Sequence, residues 1–303
     1  PIYMGYASNT YTNIGEANNR GIEMNLEWRD KTESGFEYNV GVNMSTIRNR
    51  MTKLNGGTPI SDGPFRNGSM YLTYTNEGMP IGAFWGYKTD GLIQTQEQLN
   101  AVKRADFQPN AELGDVLFVD TNGDGKLDSS DRCMIGNPIP DIIYGINMGM
   151  AWKGFDLNLQ FGGTIGNQIF NAMRYYTYFP NDITNKDRAL MNYWTPNNTN
   201  TDIPRLTATD VNDNDRFSDM YVENGTYFRL RNAQLGYTLP ASLTQRIKLQ
   251  KVRFYVSGQN LFTISSYSGM DPEVGQSSSL SRGIDYGIYP QNISFTGGIN
   301  VTF

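Results

Sequence analysis

The chain has 303 residues, a formal net charge of −5 and no histidine. The absence of imidazole excludes a Ser-His or Cys-His catalytic pair within this chain, and the scattered lysines and arginines argue against a nucleic-acid surface, which needs clustered cations. The single cysteine, Cys133, excludes an intrachain disulfide, and no run of about 18 apolar residues offers a transmembrane helix.

The composition favours strands that are apolar on one face only. Apolar residues make up 38% and aromatic residues 13% of the chain, which also contains 32 glycines. A packed α/β core would need more aliphatic residues than this. The sequence starts at Pro1 without an initiator Met or a signal peptide, so we expect it to be a piece of a longer protein.

Apolar and polar residues alternate with a period of two in seven segments, the side-chain repeat of a β-strand. These segments are 22–28, 36–44, 142–152, 155–161, 227–239, 252–256 and 293–303. Several run to roughly 9–13 residues, which is longer than usual for globular strands and suits strands that cross a membrane. In 227–239 the apolar residues change from even-numbered to odd-numbered positions between Leu230 and Leu235. This change predicts either a bulge or a strand that leaves the bilayer.

The connections between these segments alternate in length. Links 30–34, 153–154 and 240–250 are short, whereas the polar stretches 47–141, 164–225 and 262–290 are long. Short periplasmic turns and long external loops alternate in this way in outer-membrane barrels. Trp28, Trp152 and Phe303 stand at strand ends, where an aromatic girdle is expected. The predicted fold is an all-β, transmembrane antiparallel β-barrel with long extracellular loops; a soluble β-sandwich is the alternative.

Residues 120–131 match an EF-hand calcium loop. Side-chain oxygens would come from Asp120, Asn122, Asp124, Asp128 and Asp131, and the Lys126 carbonyl would add one more. Gly125 permits the sharp turn, although Asp131 replaces the usual terminal Glu. The predicted role for Ca²⁺ is a structural clip in an extracellular loop, and an Asx-rich surface turn is the alternative.

A series of motifs in a fixed order resembles the SusC/RagA family of TonB-dependent outer-membrane transporters of Bacteroidetes. The motifs are GEANNRGIE (15–23), the aspartate loop leading into IGNP (135–138), YG (144–145), WKGFDL (152–157), WTP (194–196), YFRLRN (227–232), LGYTLP (235–240), SGQNLF (257–262) and the terminal Phe303. Together they span nearly the whole chain.

The resemblance implies that residues 1–303 are the C-terminal part of a 22-stranded barrel in the bacterial outer membrane. It implies an N-terminal plug domain that contacts TonB, and neither the plug nor that contact segment is in this chain. It further implies a SusD-like surface lipoprotein as a lid, a dimer of transporter–lipoprotein pairs, and import of oligosaccharides or oligopeptides. Phe303 matches the aromatic end that the barrel-assembly machinery reads.

Aromatic residues of the long stretches are candidate substrate contacts, because they stack on sugar rings or pack on peptide side chains. The candidates are Trp85, Tyr87, Tyr175, Tyr176, Tyr178 and Trp194, with Phe84, Phe179 and Tyr193 nearby in the sequence. Packing of loop against loop, or against the lid, is at least as good an interpretation.

Two other functions are weighed against import. A glycosidase could use paired carboxylates from Asp213, Asp215, Asp219 and Glu223, but no strand holds these at a fixed separation. A soluble, calcium-clipped β-sandwich that binds glycans or acts as an adhesin is the other alternative. The prediction is a transporter and not an enzyme.

Overall fold

The computed structural model describes residues 13, 15–66, 68–179, 185–275 and 278–303. Eighteen strands lie within these residues: β1 (Gly15–Arg20), β2 (Glu23–Lys31), β3 (Glu37–Thr46), β4 (Arg48–Leu54), β5 (Ile60–Phe65), β6 (Met70–Thr75), β7 (Ala83–Gly86), β8 (Thr89–Leu92), β9 (Val116–Phe118), β10 (Cys133–Gly136), β11 (Ile142–Trp152), β12 (Phe155–Ile165), β13 (Gln168–Asn171), β14 (Val222–Asn224), β15 (Tyr227–Thr238), β16 (Lys251–Ser265), β17 (Ile284–Asp285) and β18 (Ser294–Thr302). The α-helices are α1 (Gln96–Arg104), α2 (Ala172–Tyr178) and α3 (Ala241–Thr244). No described helix is long and apolar enough to cross a membrane.

The seven predicted strands form one antiparallel sheet. Its order is β18-β16-β15-β12-β11-β3-β2, so strands that follow one another among these seven are also neighbours in space. Both edges, β18 and β2, are open within the described residues, and an antiparallel sheet of neighbouring strands fits a portion of a barrel wall. The predicted short links join these strands at one end, and the three long stretches leave from the other.

The two faces of this sheet differ in chemistry, as the alternation predicted. One row of residues in register reads Glu27, Gly41, Asn147, Gln160, Asn232, Gln259 and Ser294. The adjacent row points to the other face and reads Leu26, Val42, Ile146, Phe161, Leu230 and Phe262. Leu26 is 59% exposed and Val256, farther along the apolar face, is 60% exposed. An apolar face left open in this way fits a lipid-facing wall, and the polar face lines the lumen.

A bulge explains the irregular segment in β15. Leu230 pairs with Phe161 and Asn232 pairs with Gln160, so Arg231 is an extra residue without a cross-strand partner. The opposite strand also shifts there, with Asn260 in the left-handed region at φ 53°. Strand β15 stays in the sheet on both sides of the bulge, which decides between the two alternatives left open by the sequence.

The long external segments fold into sheets of their own, which the sequence did not predict. They contain a four-stranded sheet (β10-β7-β6-β5), a three-stranded sheet (β14-β13-β17) and the two-stranded pairs β1-β4 and β8-β9. The three apolar clusters found among the described residues all lie in these segments. The stretches on the external side are thus a packed body and not a set of separate loops.

Candidate substrate-facing site

Aromatic side chains hold the external body together in a first cluster. It consists of Phe65, Leu72, Phe84, Phe170, Ala172, Tyr175, Phe179, Phe217, Tyr221 and Ile284. The ring centroids of Phe65 and Phe170 lie 5.6 Å apart in an edge-on arrangement, and those of Phe170 and Phe217 lie 4.9 Å apart. These contacts join β5, β13 and the segment before β14, so the cluster ties the first two long stretches to each other.

Tyr175, a candidate substrate contact, is part of this cluster and is buried. Its hydroxyl accepts a hydrogen bond from Arg66 Nη1 at 2.9 Å, and the same nitrogen lies 2.7 Å from Asp215 Oδ2. Burial, supported by the charge of Asp215, raises the pKa of Tyr175 far above its usual value. The phenol is therefore neutral at neutral pH, and the packing role that the sequence left open accounts for its position.

Trp194 occupies a comparable position in a second cluster with Leu92, Phe107, Val116 and Phe118. Its indole nitrogen donates to Gln94 Oε1 at 2.8 Å. Gly114 lies so close to the indole that a Cβ there would come within 2.2 Å of Trp194 Cε3. Trp194 is thus fixed by packing on one side and by a hydrogen bond on the other.

A buried polar network supports this second cluster. Asp115 is fully buried and forms an ion pair with Arg205, with Oδ1 and Nε 2.6 Å apart. Asn214 Nδ2 donates to Asp115 Oδ1 at 3.1 Å, and Asn214 Oδ1 accepts from the Val116 amide at 2.8 Å. The sequence does not predict this network, because nothing in the local pattern separates its residues from the other polar residues of the stretch.

The remaining aromatic candidates are partly exposed, and they are not gathered in one place. Trp85 stacks on Tyr74 with centroids 4.6 Å apart, and Tyr74 was not among the candidates. Tyr176 lies beside Phe65, whereas Tyr87 packs edge-on against Phe118 in the second cluster. Tyr178 lies under the guanidinium of Arg174 at 5.0 Å. Of the six candidates, Trp85 is the one in a stacked ring pair, and it is partly exposed.

A charged cluster holds the last external segment, 266–293, against the sheet. Arg229 in β15 is almost fully buried, and its Nη2 lies 2.6 Å from Asp271 Oδ1, which is buried as well. Its Nη1 lies 2.8 Å from Glu273 Oε2, and its Nε donates to Thr263 Oγ1 at 2.8 Å. We call the three residues Arg229, Asp271 and Glu273 the latch. Because both Asp271 and Glu273 belong to the external segment, the latch fixes that segment to the barrel wall.

The predicted calcium loop is folded around its own backbone amides. Asp120 accepts from the Gly123 and Gly125 amides at 2.6 and 2.8 Å, and both glycines have positive φ. Asp131 is fully buried and accepts from the Thr121 amide at 3.1 Å and the Asp128 amide at 2.9 Å, which brings the two ends of the loop together. The Gly125 amide is the main cause that keeps the pKa of Asp120 below its usual value.

The other predicted ligands are arranged in the same way. Asp124 accepts from the Lys126 amide, and Asp128 accepts from the Ser130 amide. The Ser130 side chain is the main cause that lowers the pKa of Asp128. In the part of the chain that the structure describes, no three Asp, Glu or Cys side chains converge in a way that could hold a metal ion. A cation here would require these carboxylates to turn from the amides towards the loop centre.

No protein-family profile matches the chain. It is 36% identical over 315 residues to the TonB-dependent receptor P3 of Formosa agariphila, in a match that covers all of this chain and 30% of that protein. It is 26% identical over 304 residues to the TonB-dependent receptor SusC of Bacteroides thetaiotaomicron, covering all of this chain and 28% of SusC.

Solved structures show the same fold. The RagAB peptide transporter superposes with a TM-score of 0.75 at 24% identity, and the RagAB peptide importer in its open-open state superposes with 0.74 at 25% identity. All of this chain is covered in both cases, together with 31% and 30% of those chains. The chain belongs to the SusC/RagA family of TonB-dependent receptors. It spans about 30% of the length of its SusC/RagA relatives, and its seven-stranded sheet corresponds to a part of their barrel.

Proposed function

We propose that the chain forms part of the wall and of the external body of an outer-membrane importer for oligopeptides or oligosaccharides. The two-faced sheet carries this proposal: its apolar face suits lipid, and its amide-rich face suits a water-filled passage. The RagAB relatives are described as a peptide transporter and importer, which favours a short peptide. The family resemblance also admits a glycan.

The proposal includes a SusD-like lipoprotein as a lid, energy supplied by TonB through a plug domain, and a dimer of such pairs. Several large apolar side chains on the external segments are open to solvent, among them Tyr289 and Met191 at 79% exposure. Exposed apolar side chains of this size suit contact with a partner protein. Phe303, which directly follows β18 and is 83% exposed, remains the proposed barrel-assembly signal.

The competing functions have less support. The carboxylates considered for hydrolysis are each engaged in hydrogen bonds: Asp213 with Arg216, Asp215 with Arg66, Asp219 with Thr89, and Glu223 with Asn171 and Ser268. A β-sandwich needs a second sheet on the apolar face, and the seven-stranded sheet has none among the described residues.

Substitution of Trp85 tests the import proposal. We expect Trp85→Ala in the complete protein to weaken uptake about three- to tenfold at unchanged surface abundance, because a partly exposed indole ring is lost. The matched control is Trp194→Phe, which should cost about 1–2 kcal/mol of stability and lower uptake and surface abundance together. Uptake of a labelled peptide or glycan mixture, divided by surface abundance, is the readout. Parallel losses for Trp85→Ala would remove the contact role, and absence of uptake by the unaltered protein would contradict import.

We also propose that residues 120–131 bind Ca²⁺ as a structural clip. The closed ends of the loop, the two glycine turns and the lowered pKa of Asp120 and Asp128 support a closed loop whose ionised carboxylates could turn towards a cation. Asp124→Ala should abolish calcium protection of this segment against proteolysis. The exposed Asp90 on β8 offers the control Asp90→Ala, which should leave that protection intact. Equal cleavage of the unaltered protein with calcium and with chelator would show an Asx turn without metal.

A further inference from the structure

Three arginines lie just beyond the external end of the apolar face. Strands β1 and β4 continue the hairpin of β2 and β3, and Arg20 pairs with Arg48 in the same register in which Glu23 pairs with Ser45. No residue is inserted between these pairs, so the two registers are continuous across residues 21, 22 and 47, which lie between the strands. Arg20 therefore lies about 7 Å farther out than the lipid-facing Ile22 at the usual rise per residue.

These arginines have no charge partner among the described residues. Arg20 and Arg48 lie directly opposite one another, and Arg50 is opposite Asn18. Like charges in direct opposition destabilise a strand pair unless an anion is shared between them. No described carboxylate forms an ion pair with any of the three, and the side chains are exposed. Among the described residues, the one side-chain hydrogen bond of these arginines runs from Arg20 Nε to Asn18 Oδ1 at 3.2 Å.

The arginines border a cavity of about 630 Å³ beside the β1-β4 extension. Its lining includes Ile47 and the following residues 48–52 of β4, the facing residues Asn137, Ile139 and Asp141, and Gly78. The Ile47 amide bonds to the Asp141 carbonyl below it, and the Met51 amide bonds to the Met79 carbonyl above it. Between these two closures β4 separates from segment 137–141. Every second amide of a strand points to the same side, and those of Ile47 and Met51 point to this side. The Asn49 amide therefore points into the gap.

We propose that this cavity binds a phosphate group, carried by a lipid of the outer surface of the membrane. The lining contains three guanidinium groups and a single carboxylate, so it is positively charged. The planar guanidinium group can donate two parallel hydrogen bonds to a pair of phosphate oxygens. The cavity lies just beyond the end of the lipid-facing apolar rows, which is the level of a headgroup phosphate. A bound phosphate would remove the repulsion between Arg20 and Arg48 and fix the β1-β4 extension to the membrane surface. This role is separate from solute import.

Lipid retention by the complete protein tests this proposal. The protein is reconstituted in phosphatidylcholine nanodiscs with a minor fraction of phosphatidic acid, re-extracted, and weighed by native mass spectrometry. We expect selective retention of phosphatidic acid, weakened about 25-fold in Arg48→Gln/Arg50→Gln, from about fivefold per arginine. The control is Lys103→Gln/Arg104→Gln at the exposed end of α1, which should retain the lipid as the unaltered protein does.

Two readouts keep the outcome interpretable. Heat-modifiable migration and solute uptake by Arg48→Gln/Arg50→Gln should match the unaltered protein, which separates lipid binding from folding and from import. Excess inorganic phosphate should leave the retained lipid in place. Equal retention by all proteins would overturn the proposal, and displacement by inorganic phosphate would overturn the lipid as the source of the phosphate.

Discussion

Arg229→Met in the complete protein should release external segment 266–293 from the barrel wall. The substitution leaves Asp271 buried without its cation, and breaking a buried ion pair on one side costs about 3–5 kcal/mol. The expected result is rapid proteolysis within 266–293 while the seven-stranded sheet stays protected. Time courses of proteolysis on intact cells, followed by mapping of the cut sites, measure this effect.

Arg231→Met is the matched control. Arg231 lies two residues farther along β15 and contacts Glu273 at 3.0 Å, but this ion pair is 42% and 37% exposed. Screening by solvent limits such a pair to less than about 1 kcal/mol, so cleavage should remain slow. Equal protection of segment 266–293 in the two variants would contradict the latch.

The latch should also open in acid. Burial alone would raise the pKa of Asp271, but hydrogen bonds from the Gln291 and Glu273 amides and from Arg229 outweigh it and leave that pKa below its usual value. A carboxyl group with a lowered pKa stabilises the folded segment above its unfolded pKa of about 3.9, and this contribution is lost as the pH falls through the folded value. Segment 266–293 should thus be stable at neutral pH and become cleavable by an acid-active protease below about pH 4.

Val256→Arg should prevent most of the protein from reaching a folded state in the outer membrane. Val256 lies in the middle of β16 on the apolar face, and a lipid-facing arginine near the bilayer midplane costs about 2–4 kcal/mol. Ser257→Arg moves the same charge by one residue to the polar face, where water and the neighbouring Gln234 and Thr296 surround it. We expect a large loss of heat-modifiable protein for the first variant and a small loss for the second. Equal losses would argue against lipid on this face.

The sequence predicted the strands of the barrel wall, because one face of each strand is apolar and the other is polar. Residues that alternate with a period of two show this difference directly. Val252, Phe254 and Val256 already indicate which side of β16 faces lipid. The bulge at Arg231 was indicated by the change of the apolar residues from even-numbered to odd-numbered positions. Helix α1 was missed although its capping box, Thr95 with Gln98, is present in the sequence.

The external body was much harder to predict, since its contacts join residues that are far apart in the chain. Phe65 contacts Phe170, and Arg66 contacts Asp215. Along the chain, strands of the wall lie between the two partners of each pair. Local patterns contain no information on such pairings, so Tyr175 and Trp194 were equally good as substrate contacts or as core residues. Their burial and their partners are properties of the folded chain alone.

Accessibility of single cysteines along β16 tests the lipid-facing wall most directly. In a Cys133→Ser background of the complete protein, Phe254→Cys, Tyr255→Cys, Val256→Cys and Ser257→Cys are labelled in native outer membranes with a lipid-soluble and a water-soluble thiol reagent. The structure predicts strict alternation: positions 254 and 256 react with the lipid-soluble reagent, and positions 255 and 257 with the water-soluble one. Uniform reaction of all four with the water-soluble reagent would contradict the barrel wall and, with it, the import that we propose.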